Sequence, residues 1–291
     1  MNIYEQINEQ ILTDLKKGII PWHVSWKVTG DGIISHLTGR PYSFINSLLI
    51  NRAGEYATFN QIQKLGGKVK KGAHGESVYF YKPIEKKEIK DGKEEIKKSV
   101  ILKKYFVFNL LDVEGIDPRF KDRWGGEDKN VNEKGNFEQA NLIYENYIQT
   151  NKITIKYEGS QPVYKTGKNL VVIPKCGNFE TTYYFYSALF HELGHSTGEP
   201  ARLNRKCFVN YGQSKKEKAR EELVAELTAA YICGRLGIRN TDIEKDNTAY
   251  IQGWIKNLTD DPNAFYWCAS QAEKAAKLIF NDNITPINEG V

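Results

Sequence analysis

His191-Glu192-Leu193-Gly194-His195 is the stretch that decides how this chain is read. On an α-helix, residues four apart lie on one face. Two imidazoles so spaced can grip one metal ion, and the glutamate between them can act as general base toward a water on that ion. The bare pentapeptide also arises as two histidines on a helix surface or in a polar core, so its flanks matter. Thr181 to Phe190 reads TTYYFYSALF, an apolar and aromatic run leading into the motif. That suits a buried, rigid helix, which metal ligands need because loose ligands lose affinity. Gly198 is placed to end the helix, and Glu199-Pro200 cannot easily continue it.

Such a site needs a third protein ligand, with the fourth position open to water. The metzincin pattern takes a His six residues after the second one. Ala201 occupies that position, no His follows His195, and the only methionine is Met1, so no Met-turn exists. The other route takes a Glu from a second helix. Lys215 to Gly237 reads KKEKAREELVAELTAAYICGRLG, rich in good helix formers. Glu222 and Glu226 share a face, flanked by Leu223 and Leu227. Acidic groups beside an apolar face are costly unless paired or metal-bound. Glu222 is therefore the expected third ligand, with Glu226 accepting a ligand imidazole N–H. Glu221 is the rival for the ligand role, and an ordinary solvated acidic face is the plain alternative.

The stretches HELGHSTGEPARLNR (191–205) and EELVAELTAAYICGRLG (221–237) resemble the zincin domain of the ArdC-type antirestriction proteins of conjugative plasmids. Related domains occur in polyvalent proteins of phages and mobile elements. Glu222, Ala225 and Glu226 also resemble the wider gluzincin pattern, which favours Glu222 over Glu221. Residues 248–279 look like the family's C-terminal helices, most simply two amphipathic helices completing a core. Pro21-Trp22, Trp26, GRPYSFINSLLI (39–50) and the stretch 56–83 resemble its N-terminal domain, which in that family binds single-stranded DNA. The resemblance implies an antirestriction role during conjugative transfer.

Composition points the same way by itself. The 291 residues suffice for two domains, and a 40% hydrophobic share allows a packed core. Residues 1–125 hold 21 Lys and Arg against 15 Asp and Glu, while residues 126–291 hold 20 against 21. The basic excess thus sits in the first part, where aromatic residues are interleaved. Lysines attract phosphates and rings stack on unpaired bases, so Lys68, Lys70, Lys71, Tyr79 and Tyr81 are expected DNA contacts, and the resemblance adds Trp22 and Trp26. The plain alternative is that strand aromatics fill a core and lysines solvate a surface.

The expected fold is α+β in two domains. Residues 1–125 form a mixed α/β, single-stranded-DNA-binding domain, and residues 126–291 a mainly helical zincin-like metallopeptidase domain with a small sheet. Ile3 to Lys17 reads as an amphipathic helix and Thr58 to Leu65 as a short one with a Thr58/Gln61 capping box. Val78–Tyr81 and Tyr105–Phe108 read as strands, and Glu85–Lys98 as an exposed hairpin loop around Asp91-Gly92. Asp117–Lys134 reads as a linker and Phe137–Thr150 as a helix. Ile153–Ile155, Val163-Tyr164 and Leu170–Ile173 form the small sheet.

No targeting signal or membrane-length apolar run is present. Cys176, Cys207, Cys233 and Cys268 lack any C-x-x-C pairing, which fits free thiols in a cytoplasmic protein. A catalytic Cys207 is the weakest reading of them. Zn²⁺ is the expected ion, with Mn²⁺ or Co²⁺ able to take the same donors. Glu192 is the expected catalytic base, and Tyr211 or Tyr231 could serve the oxyanion. The function expected is a metal-dependent peptidase with an unknown protein substrate, tethered to a module that binds single-stranded DNA. The alternatives are a DNA-binding shield whose metal site is structural or dispensable, and last a small-molecule or toxin-type hydrolase.

Overall fold

Asn2 and Glu5 form a capping box at the start of α1 (Ile3–Lys16), satisfying first-turn N–H groups that lack helical partners. Ile7, Ile11 and Leu15, four apart, are fully buried. The computed structural model describes residues 1–24, 32–90, 93–120, 133–238 and 248–281. Its first part continues through β1 (Ile33–Ser35), α2 (Phe44–Leu49), β2 (Gly54–Thr58), α3 (Phe59–Lys64), β3 (Lys68–Val69), β4 (Glu76–Lys90), β5 (Lys93–Asn109) and β6 (Val113–Glu114). The second part runs α4 (Glu133–Thr150), β7 (Thr154–Tyr157), β8 (Val163–Lys165), β9 (Leu170–Ile173), α5 (Thr182–Ser196), α6 (Lys206–Val209), α7 (Lys215–Arg235), α8 (Thr248–Asp260) and α9 (Ala264–Phe280). The architecture is α+β with two parts.

The first part holds a sheet of order β1-β2-β5-β4. β1 pairs parallel to β2, and the other pairings are antiparallel. Alternation along β4 buries successive residues on opposite faces: Val78 joins Tyr42, Tyr56 and Val107, while Tyr79 joins α1 and α2. The β4–β5 ladder runs unbroken to Lys90↔Lys93. The expected loop at 85–98 is therefore strand except at Asp91-Gly92, which lie outside the described residues. Thr58 and Gln61 form the capping box at α3, as their spacing predicts.

The segment expected to be a linker is partly tied down. The backbone N–H groups of Arg119 and Phe120 donate to the buried Glu55 carboxylate at 2.8 and 3.0 Å. Residues 121–132, and with them the expected boundary at 125, lie outside the described residues. Packing crosses that boundary. α1, α2 and the single turn Pro21–His23 share one apolar cluster with α7, α8 and α9. The Asn8 side-chain amide donates to the Leu258 carbonyl at 2.9 Å.

Trp22 is 1% exposed, with its ring edge-on to Trp254 and tilted on Phe265 at 6.1 and 5.9 Å between centroids. Trp22 and Tyr79, expected as base-stacking residues, are instead core residues, because their rings fill the seam between the two parts. Trp26 lies outside the described residues, as does the Tyr81 side chain.

The second part has a small sheet of order β7-β9-β8 covered by α4 and α5. Thr181 caps α5, and Ser214 caps α7. The two helices approach closely at Gly194. A Cβ there would sit 3.2 Å from Ala225 Cα and 3.3 Å from Thr228 Cβ. That contact sets Glu221, Glu222 and Glu226 of α7 against the histidines of α5.

Candidate metal centre

His191 and His195 fall on one face of α5, and Glu222 rises toward them from α7. His191 Nε2 lies 3.5 Å from Glu222 Oε2, and His195 Nε2 lies 3.7 Å from the same oxygen. One ligand atom from each of the three residues falls within 4.8 Å of the others. A tetrahedral ion with bonds near 2.0–2.2 Å separates its donors by about 3.4 Å, so the set needs only a slight closure to hold one. Among the described residues no other group of three His, Cys, Asp or Glu side chains is so placed.

The opposite ring nitrogens are also engaged. His195 Nδ1 lies 3.1 Å from Glu221 Oε1. Glu221 is fully buried and receives two N–H bonds from the fully buried Arg205, at 3.0 and 2.6 Å. Arg205 further donates to the Gly194 carbonyl at 2.8 Å and to Thr197 Oγ1. Glu221 thus faces Nδ1 and is occupied by Arg205, whereas Glu222 faces both Nε2 atoms. His191 Nδ1 lies 3.6 Å from Glu226 Oε2, and the other oxygen of Glu226 is 3.2 Å from His23 Nε2. Such carboxylate partners fix the imidazole tautomer and orientation.

Glu192 is not one of the three converging residues. It is buried, and its Oε2 accepts the backbone N–H of Tyr164 on the edge strand β8 at 2.5 Å. With His191 it lines a cleft of about 680 Å³ that also includes Pro162, Phe179, Tyr184 and Ala188. The Tyr211 hydroxyl donates to Glu222, and its ring stands edge-on to His195 at 6.2 Å. Tyr231 instead packs on Phe44 inside the core, 4.7 Å between centroids. Of the two tyrosines, only Tyr211 is at the site.

The charge of the cluster suits a cation. Burial lowers the His191 pKa, but the neighbouring Glu222 and Glu226 carboxylates raise it to about 10. His195 is raised against burial by Glu221 and Glu222. Burial works against ionising Glu222 and Glu226 as well, yet their imidazole partners hold both carboxyls below the usual range. Carboxylates outnumber the one arginine here, and a divalent ion matches that surplus better than protons on the ring nitrogens. Cys207 is no rival nucleophile. Burial and then the nearby Glu221 push its thiol up, away from the reactive thiolate.

Sequence reading missed His23, Arg205 and the Tyr164 N–H. His23 and Tyr164 are far from their partners in sequence, and Arg205 resembles any other arginine in a charged loop.

On the first part, Lys68, Lys70 and Lys71 are exposed, and the Lys70 ammonium donates to the Leu111 carbonyl at 2.9 Å. The outward-facing rings nearby are Phe59, 48% exposed, and Phe106, 55% exposed. Lys104 Nζ sits 5.2 Å over the Phe106 ring, and Phe108 links to Phe59 at 6.4 Å.

Comparison with known proteins adds the following. Residues 1–108 match the N-terminal domain of the anti-restriction factor ArdC. Residues 143–271 match a zincin-like metallopeptidase domain. The uncharacterized protein y4eC of Sinorhizobium fredii is 28% identical over 94% of this chain and 90% of its own length. The DNA primase TraC of Escherichia coli is 27% identical over 93% of this chain, which spans only 26% of TraC. The metal-free crystal structure of the antirestriction ArdC protein from plasmid R388 superposes with a TM-score of 0.70 at 26% identity, covering 96% of this chain and 97% of that one. The Mn(II)-bound structure of the same protein has the same fold, with a TM-score of 0.70 at 24% identity over 98% and 100% of the two chains.

Proposed function

We propose that this chain, which matches the N-terminal domain of ArdC over residues 1–108 and a zincin-like metallopeptidase domain over residues 143–271, is an ArdC-type protein that binds single-stranded DNA and cleaves a protein substrate at His191, Glu192, His195 and Glu222. The observation that carries the peptidase reading is the division among four side chains: three converge on one point while Glu192 is left over, facing the cleft. A closed structural zinc site takes four donors, usually with Cys. Here the nearest thiol, Cys207, is bonded to Glu221 instead.

His191, His195 and Glu222 would hold the ion, with Zn²⁺ the default for two imidazoles and a carboxylate, and Mn²⁺ or Co²⁺ suited to the same donors. When bound, such an ion supplies Lewis acidity toward a carbonyl oxygen and lowers the pKa of water. Glu192 accepts the proton of the attacking water and passes it to the leaving amine. The Tyr164 N–H holds the Glu192 carboxylate toward the cleft mouth. Tyr211 is placed to donate its hydroxyl to a developing oxyanion once it leaves Glu222. Its own proton stays on, because burial and Glu222 raise its pKa above that of a free tyrosine.

For DNA, the supporting features are the exposed Phe59 and Phe106 rings, Lys104 over Phe106, and Lys68, Lys70 and Lys71. Exposed rings beside ammonium groups suit stacked bases and phosphates. A cytoplasmic setting is part of the reading, supported by four free cysteines. No helix among the described residues is long and apolar enough to cross a membrane.

The test is Glu192→Gln. It should retain the ion and DNA binding, lose hydrolysis of a protein substrate by about 10²-fold or more, and lose protection of incoming DNA. Full protection by Glu192→Gln would favour the shield reading, in which DNA binding alone does the work.

A further inference from the structure

We propose that His23 is a positioning residue of the metal centre, acting through Glu226 on His191. The three side chains form a line. His23 Nε2 is 3.2 Å from Glu226 Oε1, and Glu226 Oε2 is 3.6 Å from His191 Nδ1. Both side chains are largely buried, His23 18% and Glu226 21% exposed, the latter where it lines the cleft beside His191. A largely buried carboxylate is held in place by donors to both of its oxygens. Removing the imidazole of His23 leaves one oxygen short of that donor. Glu226 is then free to turn away from a His191 contact that is already long.

The backbone of His23 is held for this task. Pro21 opens the single turn and fixes its first dihedral. The His23 N–H bonds to the Ile20 carbonyl at 3.0 Å. Trp22, between them, is locked against Trp254 and Phe265. A histidine next to so rigid an anchor arrives at Glu226 with little entropy left to lose.

His23 lies in the region that matches the ArdC N-terminal domain, while Glu226 and His191 lie in the metallopeptidase match. The metal centre is therefore completed by a side chain from the other part of the molecule, 203 residues away. The turn that carries His23 is anchored in the apolar seam between the parts through Trp22.

The inference rests on the metal reading of the site, so the experiment separates the two. Co²⁺ is titrated into the full-length, chelator-stripped protein, and affinity and visible absorption are recorded. His23→Ala should weaken Co²⁺ binding about tenfold, the low end for losing a direct partner of a ligand because His23 stands one residue behind Glu226, and should alter the spectrum. His23→Gln, whose amide N–H can reach Glu226, should recover most of the loss. In a Glu226→Gln background, His23→Ala should add nothing further. That comparison discriminates even if His23→Ala loosens the fold, since a general loss of stability weakens binding in both backgrounds.

Binding by His23→Ala within twofold of wild type overturns the proposal. An equal loss in the Glu226→Gln background overturns it too. A His191→Ala/His195→Ala protein that still binds Co²⁺ like wild type would instead remove the metal reading, and this inference with it.

Discussion

Arg205→Met should be among the most destabilising single changes in the second part. Arg205 and Glu221 are both fully buried, and the guanidinium supplies two of the donors to that carboxylate. Breaking a buried pair from one side leaves an uncompensated charge and costs roughly 3–5 kcal/mol. Arg205 also satisfies the Gly194 carbonyl and Thr197, so the upper end applies. For a chain of this size, about 2 °C of melting temperature is lost per kcal/mol, giving a fall of about 10 °C. The assay is a thermal melt of metal-free protein, so that ion binding does not enter. A companion variant, Arg205→Met/Glu221→Met, removes both charges and should melt above the single mutant, because no buried ion is left alone. An Arg205→Met melt within 2 °C of wild type would refute the reasoning, as would a double mutant no better than the single.

Other outcomes follow from the same geometry. In metal-free protein the His191 pKa is raised to about 10, so its pairing stabilises the fold fully below its unfolded value of about 6.5 and is lost as pH rises through about 10. Metal must displace that proton, so the melting gap between Zn²⁺-loaded and chelated protein should widen from pH 6.5 to 8.5 by calorimetry; a narrowing gap contradicts this. Phe106→Ala should weaken single-stranded DNA binding by about 1–3 kcal/mol, the worth of one stacked base, with an unchanged melt. Trp22→Ala should instead lower stability by about 3–5 kcal/mol, and a titration plus a melt on each variant distinguishes the two roles.

What the sequence disclosed was local. The four-residue spacings of His191/His195 and Glu222/Glu226 place each pair on one helix face, and the Thr58/Gln61 box marks the start of a helix. These rest on periodicity, which a chain carries in plain view. Which side of a strand or turn meets a partner is not local. Trp22 and Tyr79 looked like stacking residues because aromatic residues among lysines read the same whether they face water or a seam. Phe106, in the same strand pattern, is the ring that faces outward. The gluzincin-like pattern already favoured Glu222 over Glu221; what no spacing rule describes is the Arg205 contact that occupies Glu221.

The central claim is that this chain holds one divalent ion through His191, His195 and Glu222. Elemental analysis of purified wild type beside His191→Ala/His195→Ala tests it most directly. One equivalent of a divalent metal in wild type and essentially none in the double variant is the predicted result. Equal metal content in the two proteins would contradict it.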